Sequence, residues 1–228
     1  MTGYTTAYLL RHFPTKKNEG GKGQERLRGW LSEPIDEDAA AELAQEIAKI
    51  LDKAGVDCIY CSDLLRGRQT AKAIAGEMAK TPEIEIRRQF RSWDTGKYTG
   101  ELREKVWPTI ERYIRNPEEK VPGDERFNGE PFGTLDMRGG FVPRWNREIR
   151  HQLDDAKEND GKNAWILHGN MFWTLEPLLD GRQPTIADWK KKYDAANPGS
   201  VFKLEFNDDG FRITPLFDGG AGRGSSAS

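Results

Sequence analysis

The sequence predicts an α/β protein, a three-layer α/β/α sandwich on a mostly parallel sheet. Two observations carry this. Short apolar runs suited to strands alternate with segments of helical period, an order that puts a parallel sheet between helical layers. Three of those runs also lead into polar residues, at His12, Ser62 and His168. Sheets of this kind hold their sites beyond the carboxyl ends of their strands.

The elements follow in order. Thr5 to Leu10 is a first strand ending in Arg11-His12. Residues 13–35, rich in Gly, Lys and Pro, read as a long loop. Asp36 to Ala54 carries Leu43, Ile47, Ile50 and Leu51 at helical spacing. Asp57 to Cys61 is a second strand, with Ser62 as N-cap of a helix running to about Lys80. Pro82 to Arg87 is a third strand. Leu102 to Arg115 is helical, with a kink expected at Pro108. Residues 117–140 are loop, and Val142 to Glu158 is a helix. Asn163 to Leu167 is a fourth strand, and Gly169 to Leu179 opens a helix. Ser200 to Phe206 and Phe211 to Leu216 form a hairpin around Asn207-Asp208-Asp209-Gly210. One domain over residues 1–217 is expected, with a cap inserted at about 101–140 and a flexible tail over 218–228.

Composition narrows the function. The chain has 228 residues, 35 Lys+Arg against 37 Asp+Glu, and a net charge of −2. That balance argues against a nucleic-acid protein working by bulk electrostatics. No stretch approaches the roughly 18 consecutive apolar residues of a membrane span, and Met1 to Leu10 lacks the pattern of a signal peptide. The two cysteines, Cys58 and Cys61, share one predicted strand. At that spacing they face opposite sides, which disfavours a disulfide, and no second Cys/His cluster completes a zinc site. Buried thiols in a reducing cytosol are expected.

The strand ends suggest a chemistry. Arg11, His12, Arg66 and His168 place two imidazoles and two guanidiniums at one sheet edge of an acidic protein. Guanidinium forks match phosphate oxygens, a helix N-terminus favours an anion, and a neutral imidazole can act as nucleophile. The residues point to a phosphate-ester site that needs no metal and no cofactor.

The same segments resemble the histidine phosphatase superfamily, also called phosphoglycerate mutase-like. The resemblance runs through Leu10-Arg11-His12, through Arg26-Leu27-Arg28-Gly29-Trp30 to Pro34-Ile35, and through Cys61-Ser62-Asp63-Leu64-Leu65-Arg66-Gly67-Arg68-Gln69-Thr70-Ala71. It continues in Gly96-Lys97-Tyr98-Thr99-Gly100, Pro122-Gly123-Asp124-Glu125 and His168-Gly169-Asn170. It covers roughly residues 5 to 216. It implies that His12 becomes a phosphohistidine. Arg11, Arg66, His168 and Gly169 would bind the phosphoryl group with Asn18 in support. Arg66, not Arg68, takes the phosphate-binding place.

Three positions depart from the pattern. Phe13 stands where the family has Gly, and would either narrow the pocket, stack on substrate or fill a wall. Gly67 replaces Ala, a change expected to be benign. Ser92 stands where the family carries a Glu that protonates the leaving group. Asp94 and Glu125 are the candidate substitutes, and the plain alternative for Asp94 is a turn-stabilising side chain. If neither serves, good leaving groups such as anhydrides or aryl esters are favoured. The expected activity is metal-independent phosphomonoester hydrolysis on a small phosphorylated substrate, with no nucleic-acid or membrane partner; a homodimer is compatible with the sequence. A phosphoglycerate-type phosphomutase and a catalytically impaired phospho-ligand-binding protein are the alternatives.

Overall fold

The computed structural model describes residues 4–15, 25–158, 162–192 and 196–219. Asn18 and residues 220–228 of the expected tail lie outside them. The chain order is β1 (Thr5–Arg11), α1 (Glu37–Ala54), β2 (Cys58–Cys61), α2 (Leu65–Glu77), β3 (Glu83–Ile86) and α3 (Arg103–Arg115). It continues with α4 (Phe141–Glu158), β4 (Asn163–Leu167), α5 (Gly169–Leu179), α6 (Ile186–Lys192), β5 (Val201–Asn207) and β6 (Gly210–Phe217). The expected elements are present within a residue or two, except that α2 starts later and ends earlier, and α6 is an additional short helix.

The six strands form one sheet in the order β3-β2-β4-β1-β5-β6. The pairs β3–β2, β2–β4 and β4–β1 are parallel, and the C-terminal hairpin adds β5 and β6 antiparallel. Strand β4 is buried along its whole length, and its side chains alternate between two cores as a pleated strand requires. Trp165 and Leu167 pack on the side of α3, α4 and α5, while Ala164 and Ile166 pack on the side of α1 and α2. Cys58 and Cys61 divide the same way: Cys58 lies against the first core and Cys61 within the second. Both thiols are free, and burial pushes them up to about 11 and about 12 respectively.

Local chemistry sets the helix ends. Asp36 caps α1 by accepting the Asp38 and Ala39 amides at 3.1 and 3.2 Å, and Gly55 closes it in the left-handed conformation at φ 73°. Ser62 does not cap α2; that helix begins after Leu64, with no side-chain cap. Helix α3 runs through Pro108.

The consequence for function lies in the β1–β4 register. Arg11 pairs with Leu167, so the next residue of each strand, His12 and His168, leaves the sheet at the same edge. The His12 amide completes the join by donating to the Leu167 carbonyl at 3.1 Å.

Candidate active site

At that edge lies a cleft lined by Arg11, His12, Arg28, Arg66, His168 and Gly169, among others. The two imidazoles face each other with centroids 5.1 Å apart, and both side chains are almost wholly buried.

The hydrogen bonds assign their protons. His12 Nδ1 lies 2.7 Å from the Phe13 carbonyl. A carbonyl only accepts, so Nδ1 carries the hydrogen and Nε2 keeps its lone pair. His168 has the opposite tautomer. Its Nδ1 accepts from Arg66 Nε at 3.2 Å, so Nε2 carries the hydrogen toward Ser62 Oγ at 2.9 Å. Burial holds both imidazoles well below their ordinary range; Arg66 and, more weakly, Arg28 and Arg11 press in the same direction. Both rings are therefore neutral at pH 7.

Arg66 is the hub. It leaves the first turn of α2 and is buried. Besides His168, its fork donates to the Leu31 and Gly29 carbonyls, each at 2.8 Å. Burial, then Arg28 and Arg11, lower its guanidinium to about 9, against the pull of Glu33; it remains a cation at pH 7. Glu33 is itself buried, and its carboxylate oxygens have no hydrogen-bond partner among the described residues. Gly29 holds φ +40°, and a Cβ there would meet Thr99 Oγ1 at 2.7 Å. Glycine is what lets its carbonyl turn toward Arg66. Arg11 Nη1 donates to the Ala196 carbonyl. The Gly169 backbone lies beneath the same guanidinium, with space for a Cβ only 3.4 Å from Arg11 Nη2. Arg68, two residues past Arg66, is exposed.

The candidate acids lie elsewhere. Ser92, at the position of the family Glu, lines the cleft and donates to the Gly29 carbonyl at 2.6 Å. Asp94 is buried with both oxygens in use: they accept the Gly96 and Gly129 amides, each at 3.0 Å. Burial raises its carboxyl, and the two amide bonds oppose that. This is the turn-stabilising role, and Asp94 does not line the cleft. Glu125 sits on an exposed loop, also away from the cleft. Among the described residues, no carboxyl lines the cleft.

Two further expectations are corrected. Phe13 points into the core shared with α1 and α2, with its amide on Thr70 Oγ1 at 3.0 Å; it touches no substrate space. Gly67 is not a neutral replacement, because a Cβ there would come within 2.7 Å of Ser62 Oγ, the partner of His168.

Sequence reasoning gave Arg28 no role, read Ser62 only as a strand-end residue and helix cap, and reached the far wall only through the expected cap that carries Trp107. Arg28 lay in plain view one residue before Gly29-Trp30, but nothing local marks its direction. In the segment expected to form the cap, Tyr113 and Phe132 are core, while Trp107 reaches the cleft.

The model of the histidine phosphatase superfamily, branch 1, matches residues 7–219. No curated protein matches the sequence. Among solved structures, a phosphoglycerate mutase from Bacillus anthracis superposes with a TM-score of 0.70 at 21% identity, covering 96% of this chain and 95% of that one. A putative alpha-ribazole-5'-P phosphatase from Escherichia coli gives 0.69 at 19% identity, covering 94% and 98%. A mycobacterial glucosyl-3-phosphoglycerate phosphatase gives 0.65 at 18% identity, covering 94% and 99%. These likenesses establish the fold.

Proposed function

The chain belongs to the histidine phosphatase superfamily, and from that premise we propose that it is a metal-independent phosphomonoester hydrolase that works through a phosphohistidine on His12. The observation that carries this reading is the fixed tautomer of His12: Nδ1 tied to the Phe13 carbonyl, and Nε2 free as a nucleophile among Arg11, Arg28 and Arg66.

The chemistry follows. The substrate phosphate enters beneath the guanidiniums, which hold its oxygens and offset the charge of the transition state. The Nε2 lone pair forms a P–N bond as the P–O bond to the leaving group breaks. Neutral His168, oriented by Arg66, shares its Nε2–H between Ser62 Oγ and a phosphoryl oxygen once the phosphate enters. Water then attacks phosphorus, the P–N electron pair returns to the imidazole, and inorganic phosphate leaves.

The test is rapid acid or base quench after mixing with a labelled aryl phosphate in the presence of chelator. Acid-labile, base-stable label on the wild type, absent in His12→Ala, is the expected result. Turnover that survives His12→Ala would overturn the reading. Ser92 in the place of the family Glu favours a second reading, a phospho-ligand-binding protein without turnover. Its signature is tight phosphate binding with no label on His12.

A further inference from the structure

The cleft continues past the phosphate cradle, and its far wall is aromatic. Helix α3 presents Arg103, Trp107, Ile110 and Ile114 to it, the spacing of one helix face. Trp189 of α6 stacks on Trp107 with centroids 4.1 Å apart and planes 24° apart. Trp173 of α5 meets Trp189 edge-on at 5.4 Å and is itself backed by Phe132, stacked at 5.6 Å and 7°. Each indole is thus held by another ring, so the wall is ordered before any ligand arrives and little side-chain freedom remains to be lost on binding. The cleft encloses about 670 Å³ of empty space, part of it open to solvent. A flat aromatic ring can lie against such a wall.

A second observation points the same way. Ser92 replaces the acid, and Asp94 is locked by two amides outside the cleft. A leaving oxygen therefore departs with little protonation from the described residues. A phenol, with a pKa of about 10, tolerates that far better than an aliphatic alcohol, whose pKa is close to that of water, about 16.

Resting on the hydrolase reading above, we propose that the substrate class is an aryl phosphomonoester, whose ring lies against Trp107 and Trp189 while its phosphate sits on Arg11, Arg66 and His168. In the first step His12 Nε2 bonds to phosphorus, the P–O(aryl) bond breaks, and its electron pair leaves on the phenolate, which takes a proton from water outside the cleft. Trp107 and Trp189 are then specificity residues.

The experiment separates binding from chemistry by using phosphonates, which cannot be cleaved. For the wild type, (1-naphthyl)methylphosphonate should bind at least tenfold more tightly than ethylphosphonate, measured by calorimetry. In Trp107→Ala that preference should fall below threefold, and Trp107→Phe should restore most of it. In turnover, kcat/KM for 1-naphthyl phosphate should exceed that for glycerol 3-phosphate at least a thousandfold. Equal wild-type affinity for the two phosphonates overturns the proposal even if Trp107→Ala fails to fold, and so does an undiminished preference in a folded Trp107→Ala. If His12 is still labelled by a small phosphate such as acetyl phosphate, only the aromatic subsite is refuted. If no phosphate labels His12, the hydrolase reading fails instead.

Discussion

Arg66 Nε donates to His168 Nδ1 at 3.2 Å, so a guanidinium buried at the start of α2 decides which nitrogen of the imidazole between β4 and α5 bears the proton. The same fork spans the Gly29 and Leu31 carbonyls. A lysine ammonium cannot cover all three directions from one point. Arg66→Lys should therefore lower kcat/KM by about a thousandfold, the scale of losing a preorganised charge donor. It should also cost about 2–3 kcal/mol of stability through the carbonyls left unpaired, read by denaturant melts. Activity within tenfold of wild type would show that the fork is dispensable.

The two neutral imidazoles predict a proton-linked anion affinity. Sulfate keeps its double charge across the working pH range, so any change in its binding reports the protein. A dianion in the cradle favours the imidazolium forms of His12 and His168, which burial disfavours in the free protein. Sulfate should then bind more tightly as pH falls from 7.5 to 5.5, with proton uptake visible in calorimetry run in two buffers. Each of His12→Asn and His168→Gln should reduce the uptake.

The same shifts set the acid side of stability. Folded-state values for His12 and His168 lie below the unfolded value of about 6.5, so on acidification the unfolded chain takes up protons first. Stability is complete above about pH 6.5 and falls below it, by up to about 1.4 kcal/mol per pH unit for each imidazole until its folded-state value is reached. Thermal melts of wild type and of the His12→Asn, His168→Gln double variant should diverge between pH 6.5 and 5, with the wild type losing more.

Asp94 offers a test of the missing acid. With both oxygens on backbone amides, Asp94→Asn retains one acceptor and sets an N–H group against the other amide. A loss of about 1–3 kcal/mol of stability is expected. The dependence of rate on leaving-group pKa should stay as in wild type. A steeper dependence in Asp94→Asn would restore it as the proton donor.

Gly67→Ala probes the support of His168. The added methyl must displace Ser62 Oγ, since 2.7 Å is no contact distance for carbon. A drop of about tenfold in kcat/KM is expected from a misplaced partner of the second histidine. Ser62→Ala in the same background should add little further loss, because the two changes act on one interaction.

The fold and the meeting of Arg11, His12, Arg66 and His168 in one cleft were legible because they depend on local signals. The apolar run Asn163–Leu167 and the helical spacing of Leu43, Ile47, Ile50 and Leu51 are read from neighbours in sequence, and the strand ends carry His12 and His168 with them. The far wall was legible only as a cap segment that contains Trp107. Trp107, Trp173 and Trp189 meet across three helices, and no spacing in the chain records that meeting. Phe13 and Phe132 would look equally eligible for the cleft, yet tertiary packing takes both into the core. The role of Asp94 stayed open in the sequence for a related reason. A carboxylate two residues before a glycine suits a turn as well as a catalytic pocket, and only the Gly129 amide, far along the chain, decides between them.

The adjacency of β1 and β4 makes function a late event in the life of the chain. His12 follows β1, but its neighbour His168 and the Leu167 carbonyl that holds its backbone come from a strand far later in the chain. Central parallel pairings across such a separation close slowly. Recovery of the folded site during refolding should accordingly track the slowest phase, and a truncated nascent chain lacking β4 would carry His12 without its partner His168.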